Sequence, residues 1–286
     1  SKSDFIKGKA VHEFEKSFAL YCGAEHCIAC GNGTDALTAL IKCSELPSGS
    51  TVIVPANTFI ATAEAVAANG LNVKFADIDD DFTISTESVE TLMTEDVSAV
   101  VAVHLYGLPA KMGELKKITE KWGIPLFEDA AQAHGAMIEN VKTGSLADGA
   151  AFSFYPGKVL GAAGDAGAVV INHSELSKKI RVYCDHGRSE KYLHETAGIN
   201  SRMDSLQAAV LNVKLKYLDG WVKKRNEIAE LYFKELQDVP GLTLPQKREN
   251  TGHAWHLFVV RHPRRDELAD FLLENGVETG KHYPVA

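Results

Sequence analysis

Residues 26–43 read HCIACGNGTDALTALIKC. The apolar and thiol side chains of 26–30 predict a short β-strand. Gly31 and Gly33 then break the run, and the residues from Thr34 onward read as a helix. A strand that turns through glycine into a helix opens an α/β unit, so strands and helices should alternate along the chain.

They do. Periodicity predicts a helix over about 8–21, with Val11, Phe14 and Phe18 on one face. After the glycine turn come TVIVP (strand), TFIATAEAVAANG (helix), VKFADID (strand), a helix near 86–93, AVVAVHLYG (strand), a helix near 110–122 and IPLFEDAA (strand). The strands are continuous Val, Ile and Ala runs, as expected where both faces of a mainly parallel sheet are covered. Residues 150–171 hold two strand-like pieces joined by a turn. Helices follow, including a long one over about 203–237, and GLTLP marks a break. HLFVVRH and RDELADFLLENG then read as a strand and a helix of a smaller second unit, which divides the chain into 1–220 and 221–286.

The composition is that of an ordinary globular protein, 45% hydrophobic and 24% charged. The net charge of −8 and the lack of a basic block argue against a nucleic-acid partner. Apolar runs are broken well before membrane-spanning length, and SKSDFIKGKA lacks a signal peptide's apolar core. Five cysteines without a secretion signal suggest reduced thiols in a cytoplasmic protein. Cys27 and Cys30 form a C-x-x-C, but no second pair exists for zinc, so they read as buried strand thiols and no metal is expected.

Three stretches carry chemistry. Backbone N–H groups at Gly33 and Thr34, with the helix dipole behind them, make an anion site. The spacing also fits G-x-G-x-x-G/A, but a dinucleotide site needs an acidic residue after the next strand. That strand ends in Val54-Pro55-Ala56-Asn57, which favours a phosphate over a dinucleotide. In LFEDAAQAHGA, Glu128 and Asp129 end an apolar strand at the edge where ligands sit. Side chains alternate along a strand, so one of the two faces the ligand and the other turns away. An alternative is that Asp129 caps the following helix. Finally, AFSFYPGKVLGAAGDAGAVV, residues 151–170, sets Lys158 in a run of small and apolar residues. A desolvated lysine has a lowered pKa and is a usable nucleophile for carbonyls. A phosphate-bearing aldehyde needs an anion cradle, a hydroxyl, a carboxylate for its ring nitrogen and an amine. Gly33/Thr34, Ser153, Asp129 and Lys158 supply them, which points to pyridoxal phosphate.

At this point the chain resembles the DegT/StrS-type sugar-nucleotide aminotransferases, a branch of the fold-type-I pyridoxal phosphate enzymes. The matching stretches include GNGTDAL, VPANTFIATAEAV, VHLYG, EDAAQAHGA, SFYPGK, GDAGAVV, DHG, GINSRMDSLQAAVL and ETGKHYP, and they run over almost the whole chain. The resemblance implies an aspartate-aminotransferase-like large domain with a mixed, mainly parallel sheet, a smaller α+β C-terminal domain and a homodimer with shared active sites. It places Lys158 as the Schiff-base lysine, Asp129 at the pyridine nitrogen, Gln132 by the ring hydroxyl and Phe59 stacked on the ring. Gly33, Thr34 and Ser153 would hold the phosphate, and Asn200 would reach the phosphate of the neighbouring subunit's cofactor. Tyr155, Lys191, Tyr192, His282 and Tyr283 are candidates for the nucleotide-sugar site.

The family often has Asn after the lysine and G-D-G-G further on; Val159 and Ala166 replace them here. Relative to the family the chain starts later and stops earlier. The implied reaction is ping-pong transamination from an amino acid, glutamate in the family, to a keto group on a nucleotide-linked sugar. The turn S-F-Y-P-G-K resembles members that aminate C3 rather than C4. A sugar dehydratase on the same fold carries His at the lysine position, which Lys158 argues against. A non-catalytic regulatory protein on this fold is a further alternative.

Overall fold

The computed structural model describes residues 4–284. Residues 1–3 and 285–286, at the outer edges of the two expected units, lie outside the described residues. Helix α1 (Lys9–Cys22) buries Val11, Phe14 and Phe18 and ends on Gly23, whose φ of 75° is the left-handed conformation that closes a helix. Strand β1 (His26–Cys30) follows, and α2 (Gly33–Cys43) starts behind Asn32, whose side chain accepts from the Asp35 N–H. Strands β2 (Thr51–Pro55) and β3 (Asn72–Ala76) flank α3 (Ala61–Ala67). Helices α4 (Thr86–Leu92) and α5 (Met112–Trp122) bracket β4 (Val97–Val103). The chain continues through β5 (Leu126–Asp129), β6 (Gly149–Ser153) and β7 (Gly167–Ile171). Helices α6 (Ser174–Tyr183), α7 (Ser205–Lys214), α8 (Leu218–Leu236) and α9 (Arg265–Glu274) complete it.

The seven strands form one sheet in the order β1-β7-β6-β5-β4-β2-β3. Pairings from β3 through β6 are parallel, whereas β7 runs antiparallel to both its neighbours. Alternate residues feed opposite faces. Cys27, Ala29, Phe152, Ala168 and Val170 pack with Phe14 and Phe18 of α1 and Leu211 of α7. Ile28, Cys30, Val52, Val54, Phe127 and Val169 pack with Leu37 and Leu40 of α2 and Ile180 of α6. The aromatic seam is edge-to-face: Phe14 on Phe154 at 5.2 Å and Phe18 on Phe152 at 5.0 Å. Such pairs add about 1 kcal/mol beyond area burial. Cys27 and Cys30 therefore lie on opposite faces of the sheet, and burial pushes both thiols up, so they act as core side chains.

Two expectations need correction. The long helix over 203–237 is interrupted: α7 ends at Lys214, a 3-10 turn spans Leu215–Tyr217, and α8 starts at Leu218. HLFVVRH is not a regular strand. Its one bridge among the described residues joins Arg261 to Thr243, and one partner residue cannot propagate a ladder.

Candidate active site

The glycine turn after β1, the loop after β2 and the ends of β5 and β6 all lie at the carboxyl edge of the parallel strands. That edge is where ligands bind in open α/β sheets.

Glu128 and Asp129 divide as alternation requires. Glu128 is fully buried and turns away. It accepts from the N–H groups of Gly144, Leu146 and Ala147 at 2.9, 2.9 and 3.2 Å, and its Oε2 pairs with His104 Nε2 at 2.9 Å. Asp129 is partly accessible. Its Oδ2 accepts the Thr62 hydroxyl at 2.8 Å and its Oδ1 accepts the Ala131 N–H at 3.2 Å. No helix follows Asp129, so the alternative role as a helix cap is overturned; a turn occupies 131–135.

Lys158 sits in the turn between β6 and β7. The turn is pinned by Lys158 N–H to Tyr155 O at 2.9 Å and Ala162 N–H to Phe154 O at 2.7 Å. Helix α7 braces it: Gln207 Oε1 accepts the Ala163 N–H at 2.9 Å, and Lys214 donates to Gly161 O. Burial pushes the Lys158 ammonium down from the ordinary lysine value, while the Asp129 carboxylate acts in the opposite direction. The strand edge thus holds an amine whose charged form is penalised relative to a solvated lysine, with a carboxylate close enough to feel its charge.

The anion cradle is formed by contact. A Cβ on Gly33 would meet Ser153 Cβ at 2.6 Å, so glycine is what lets the start of α2 close on the end of β6. Gly167 is under the same demand, since its Cβ would meet Asn32 O at 2.2 Å. Thr34 stands next to Gly33 in the first turn of α2. Gln132 Oε1 accepts the Tyr106 N–H at 2.6 Å, which holds Tyr106 at a φ of 57°, and Gln132 Nε2 donates to the Tyr283 hydroxyl at 3.0 Å. Phe59 stays 55% exposed at the mouth, its ring 6.1 Å from that of Tyr283. Tyr106 donates its hydroxyl to His282 O, so His282 and Tyr283 are brought to the site. A half-buried lysine amine, a braced carboxylate and a glycine–serine cradle on one edge fit pyridoxal phosphate.

Tyr155 sits within the lysine turn, its N–H donating to Ser153 Oγ at 3.3 Å, and is 58% exposed beside Gly157. The remaining candidates lie apart from this group. Lys191 and Tyr192 sit at the tip of a short hairpin, the Lys191 ammonium 5.3 Å from the Tyr192 ring centroid. Asn200 pairs through its backbone with Asp185. Among the described residues, no hydrogen bond or ring contact joins Lys191, Tyr192 or Asn200 to Lys158.

Sequence reasoning missed Thr62, Tyr106, His134 and His256. His134 is fully buried and His256 half-buried near Lys158, and desolvation together with the lysine's charge pushes both down to about 3. A histidine within the small-residue run AAQAHGA is a legible sign of a buried ring. Thr62 carries no such sign, because its bond to Asp129 spans two separate strands' loops.

A seven-stranded sheet of this order, with the lysine turn before its one antiparallel strand, defines an aminotransferase-type scaffold of the pyridoxal-phosphate enzymes. The family described as DegT/DnrJ/EryC1/StrS aminotransferases matches residues 1–286, and the chain belongs to it. The family is pyridoxal-phosphate-dependent. The chain is 44% identical over 281 residues to the erythromycin biosynthesis sensory transduction protein EryC1 of Saccharopolyspora erythraea, a match over 98% of this chain and 77% of that protein. It is 42% identical to the dTDP-3-amino-3,4,6-trideoxy-alpha-D-glucose transaminase of Streptomyces venezuelae, over 98% of this chain and 74% of that one. The crystal structure of S. venezuelae DesV superposes with a TM-score of 0.97 at 41% identity, over 99% of this chain and 77% of that chain.

Proposed function

We propose that this protein is a pyridoxal-phosphate-dependent aminotransferase that moves an amino group from glutamate to a keto group at C3 of a nucleotide-linked sugar. The observation that carries this reading is the convergence of Lys158, Asp129 and the Gly33–Ser153 contact on one sheet edge. The likeness to a dTDP-3-amino sugar transaminase supports the substrate class and the sugar position.

When bound, pyridoxal phosphate supplies an aldehyde for the amine and a ring that draws electrons from the donor's α-carbon. The chain supplies the rest. Gly33, Thr34 and Ser153 bind the phosphate. Asp129, held by Thr62 and the Ala131 N–H, would accept a hydrogen bond from the ring nitrogen and keep it protonated. Gln132 would lie by the ring hydroxyl and Phe59 would cover the ring. In its neutral form the Nζ of Lys158 would take the proton from the donor's α-carbon as a general base and deliver it to the carbon of the former aldehyde (C4′) as a general acid. His282 and Tyr283, with Tyr155, Lys191 and Tyr192, contact the nucleotide sugar. Asn200 reaches the phosphate bound by the partner subunit, so the active unit is a homodimer.

The division into a large domain over 1–220 and a smaller one from 221 belongs to the same reading: most of α8 and all of α9 lie beyond residue 220, after the last strand of the seven-stranded sheet in the chain. No helix among the described residues is long and apolar enough to cross a membrane, and a cytoplasmic location belongs to the same reading. A second reading, a non-catalytic regulator, draws on the name of the EryC1 relative. Turnover separates the two. Transamination predicts glutamate-dependent conversion of a 3-keto nucleotide sugar to its 3-amino form; cofactor binding without conversion of any keto-sugar nucleotide in a panel favours the regulator.

A further inference from the structure

Asp35 poses a problem that the proposed site does not resolve. It stands two residues after Gly33, in the first turn of the helix read as the phosphate cradle. A carboxylate facing a phosphate would repel it.

The structure turns this carboxylate away. Ser201 is buried, 2% exposed, and its hydroxyl lies between two groups of the glycine turn. The Gly31 N–H donates to Ser201 Oγ at 3.0 Å, and Ser201 Oγ donates to Asp35 Oδ2 at 2.6 Å. The Asp35 N–H meanwhile caps onto Asn32 Oδ1 at 2.8 Å. Direction is fixed along this hydrogen-bonded chain: the hydroxyl accepts a hydrogen bond from the Gly31 N–H and donates its own to the Asp35 carboxylate. The Gly31 N–H is drawn away from the ligand side, and the Asp35 charge is spent on a hydroxyl behind the turn.

Ser201 is itself held on a braced segment. Its N–H donates to Cys184 O at 3.0 Å, and the His186 N–H donates to Ile199 O at 2.8 Å. The backbone of Asn200 bridges to Asp185, whose carboxylate takes Lys7, Arg188 and Arg202 at 2.5, 2.7 and 3.3 Å. The residue beside Asn200 therefore grips the glycine turn of its own chain.

We propose that Ser201 and Asp35 are positioning residues for the phosphate cradle: together they set the glycine turn so that the N–H groups of Gly33 and Thr34, and not the Asp35 carboxylate, face the anion. This rests on the reading of Gly33 and Thr34 given above. The hydrogen-bonded chain acts on the phosphate end alone, so it discriminates between pyridoxal phosphate and pyridoxal, which lacks the phosphate.

The test is equilibrium titration of the full chain, cleared of cofactor, with each of these two ligands, followed by absorbance. For Ser201→Ala the expected result is a roughly tenfold loss of pyridoxal phosphate affinity with pyridoxal affinity unchanged. Ser201→Cys, whose thiol is a weak donor and acceptor of similar size, moves the ratio of the two affinities in the same direction and serves if Ser201→Ala does not fold. Equal weakening of both ligands, or an unchanged ratio in a folded variant, overturns the proposal. A wild-type chain that binds pyridoxal phosphate no tighter than pyridoxal overturns the cradle itself, a separate failure.

Discussion

Thr62, one residue into α3, donates its hydroxyl proton to Asp129 Oδ2 at 2.8 Å and so ties the loop after β2 to the end of β5. The bond orients the carboxylate proposed to keep the cofactor ring protonated. Thr62→Val keeps the shape and removes the donor. The expected outcome is a loss of about tenfold in kcat with little change in thermal stability, checked by steady-state kinetics and melting of the same preparation.

Glu128 and Asp129 are adjacent, yet their substitutions should fail in opposite ways. Glu128→Ala strips the partner from three backbone N–H groups and from His104 in a fully buried site. It should cost about 3 kcal/mol or more of stability in chemical denaturation. Asp129→Ala removes two hydrogen bonds, to Thr62 and Ala131, and the charge beside Lys158. That protein should stay folded and lose turnover.

The lysine's environment sets a pH signature. Burial lowers the Lys158 pKa and Asp129 opposes the shift. The rate of Lys158 reductive methylation in cofactor-free protein should therefore rise with a midpoint below that of ordinary lysine. In Asp129→Asn the opposing charge is gone, so the midpoint should move further down. A midpoint at the ordinary lysine value in both proteins contradicts the desolvated site.

Acid should unfold the protein through its buried histidines. His134 and His253 are held down to about 3 by burial. Unfolding frees them to take protons near the ordinary histidine value, so the stability they contribute is whole above about pH 6.5 and is lost as pH falls from there toward 3. The slope is at most about 1.4 kcal/mol per pH unit for each ring. Denaturation midpoints at several pH values should show it, and His134→Leu should remove one ring's share.

Much of this was legible in the sequence, for reasons that differ by element. The Val and Ile runs of β2 and β4 declared strands buried on both faces, which is how they sit. The glycine turn declared the close approach that Gly33 makes to Ser153. Alternation declared that Glu128 and Asp129 would part, though not which would turn in; that depends on the loop over 144–147 that supplies N–H donors to Glu128. The break at Leu215–Tyr217 was hidden, because the residues of NVKLKYLDG carry no proline and its glycine lies beyond the turn. HLFVVRH has strand-like composition, but a strand also needs a neighbour, and Thr243 alone does not provide one. Long-range bonds such as Thr62–Asp129 leave no local trace.

The central claim is that Lys158 is the amine that engages the cofactor. The most direct measurement is the absorbance spectrum of the purified protein with pyridoxal phosphate, before and after glutamate is added. The account predicts a long-wavelength cofactor band that disappears with glutamate in the wild type and is absent in a folded Lys158→Ala variant. A Lys158→Ala protein with the same spectrum and the same response to glutamate as the wild type would contradict it.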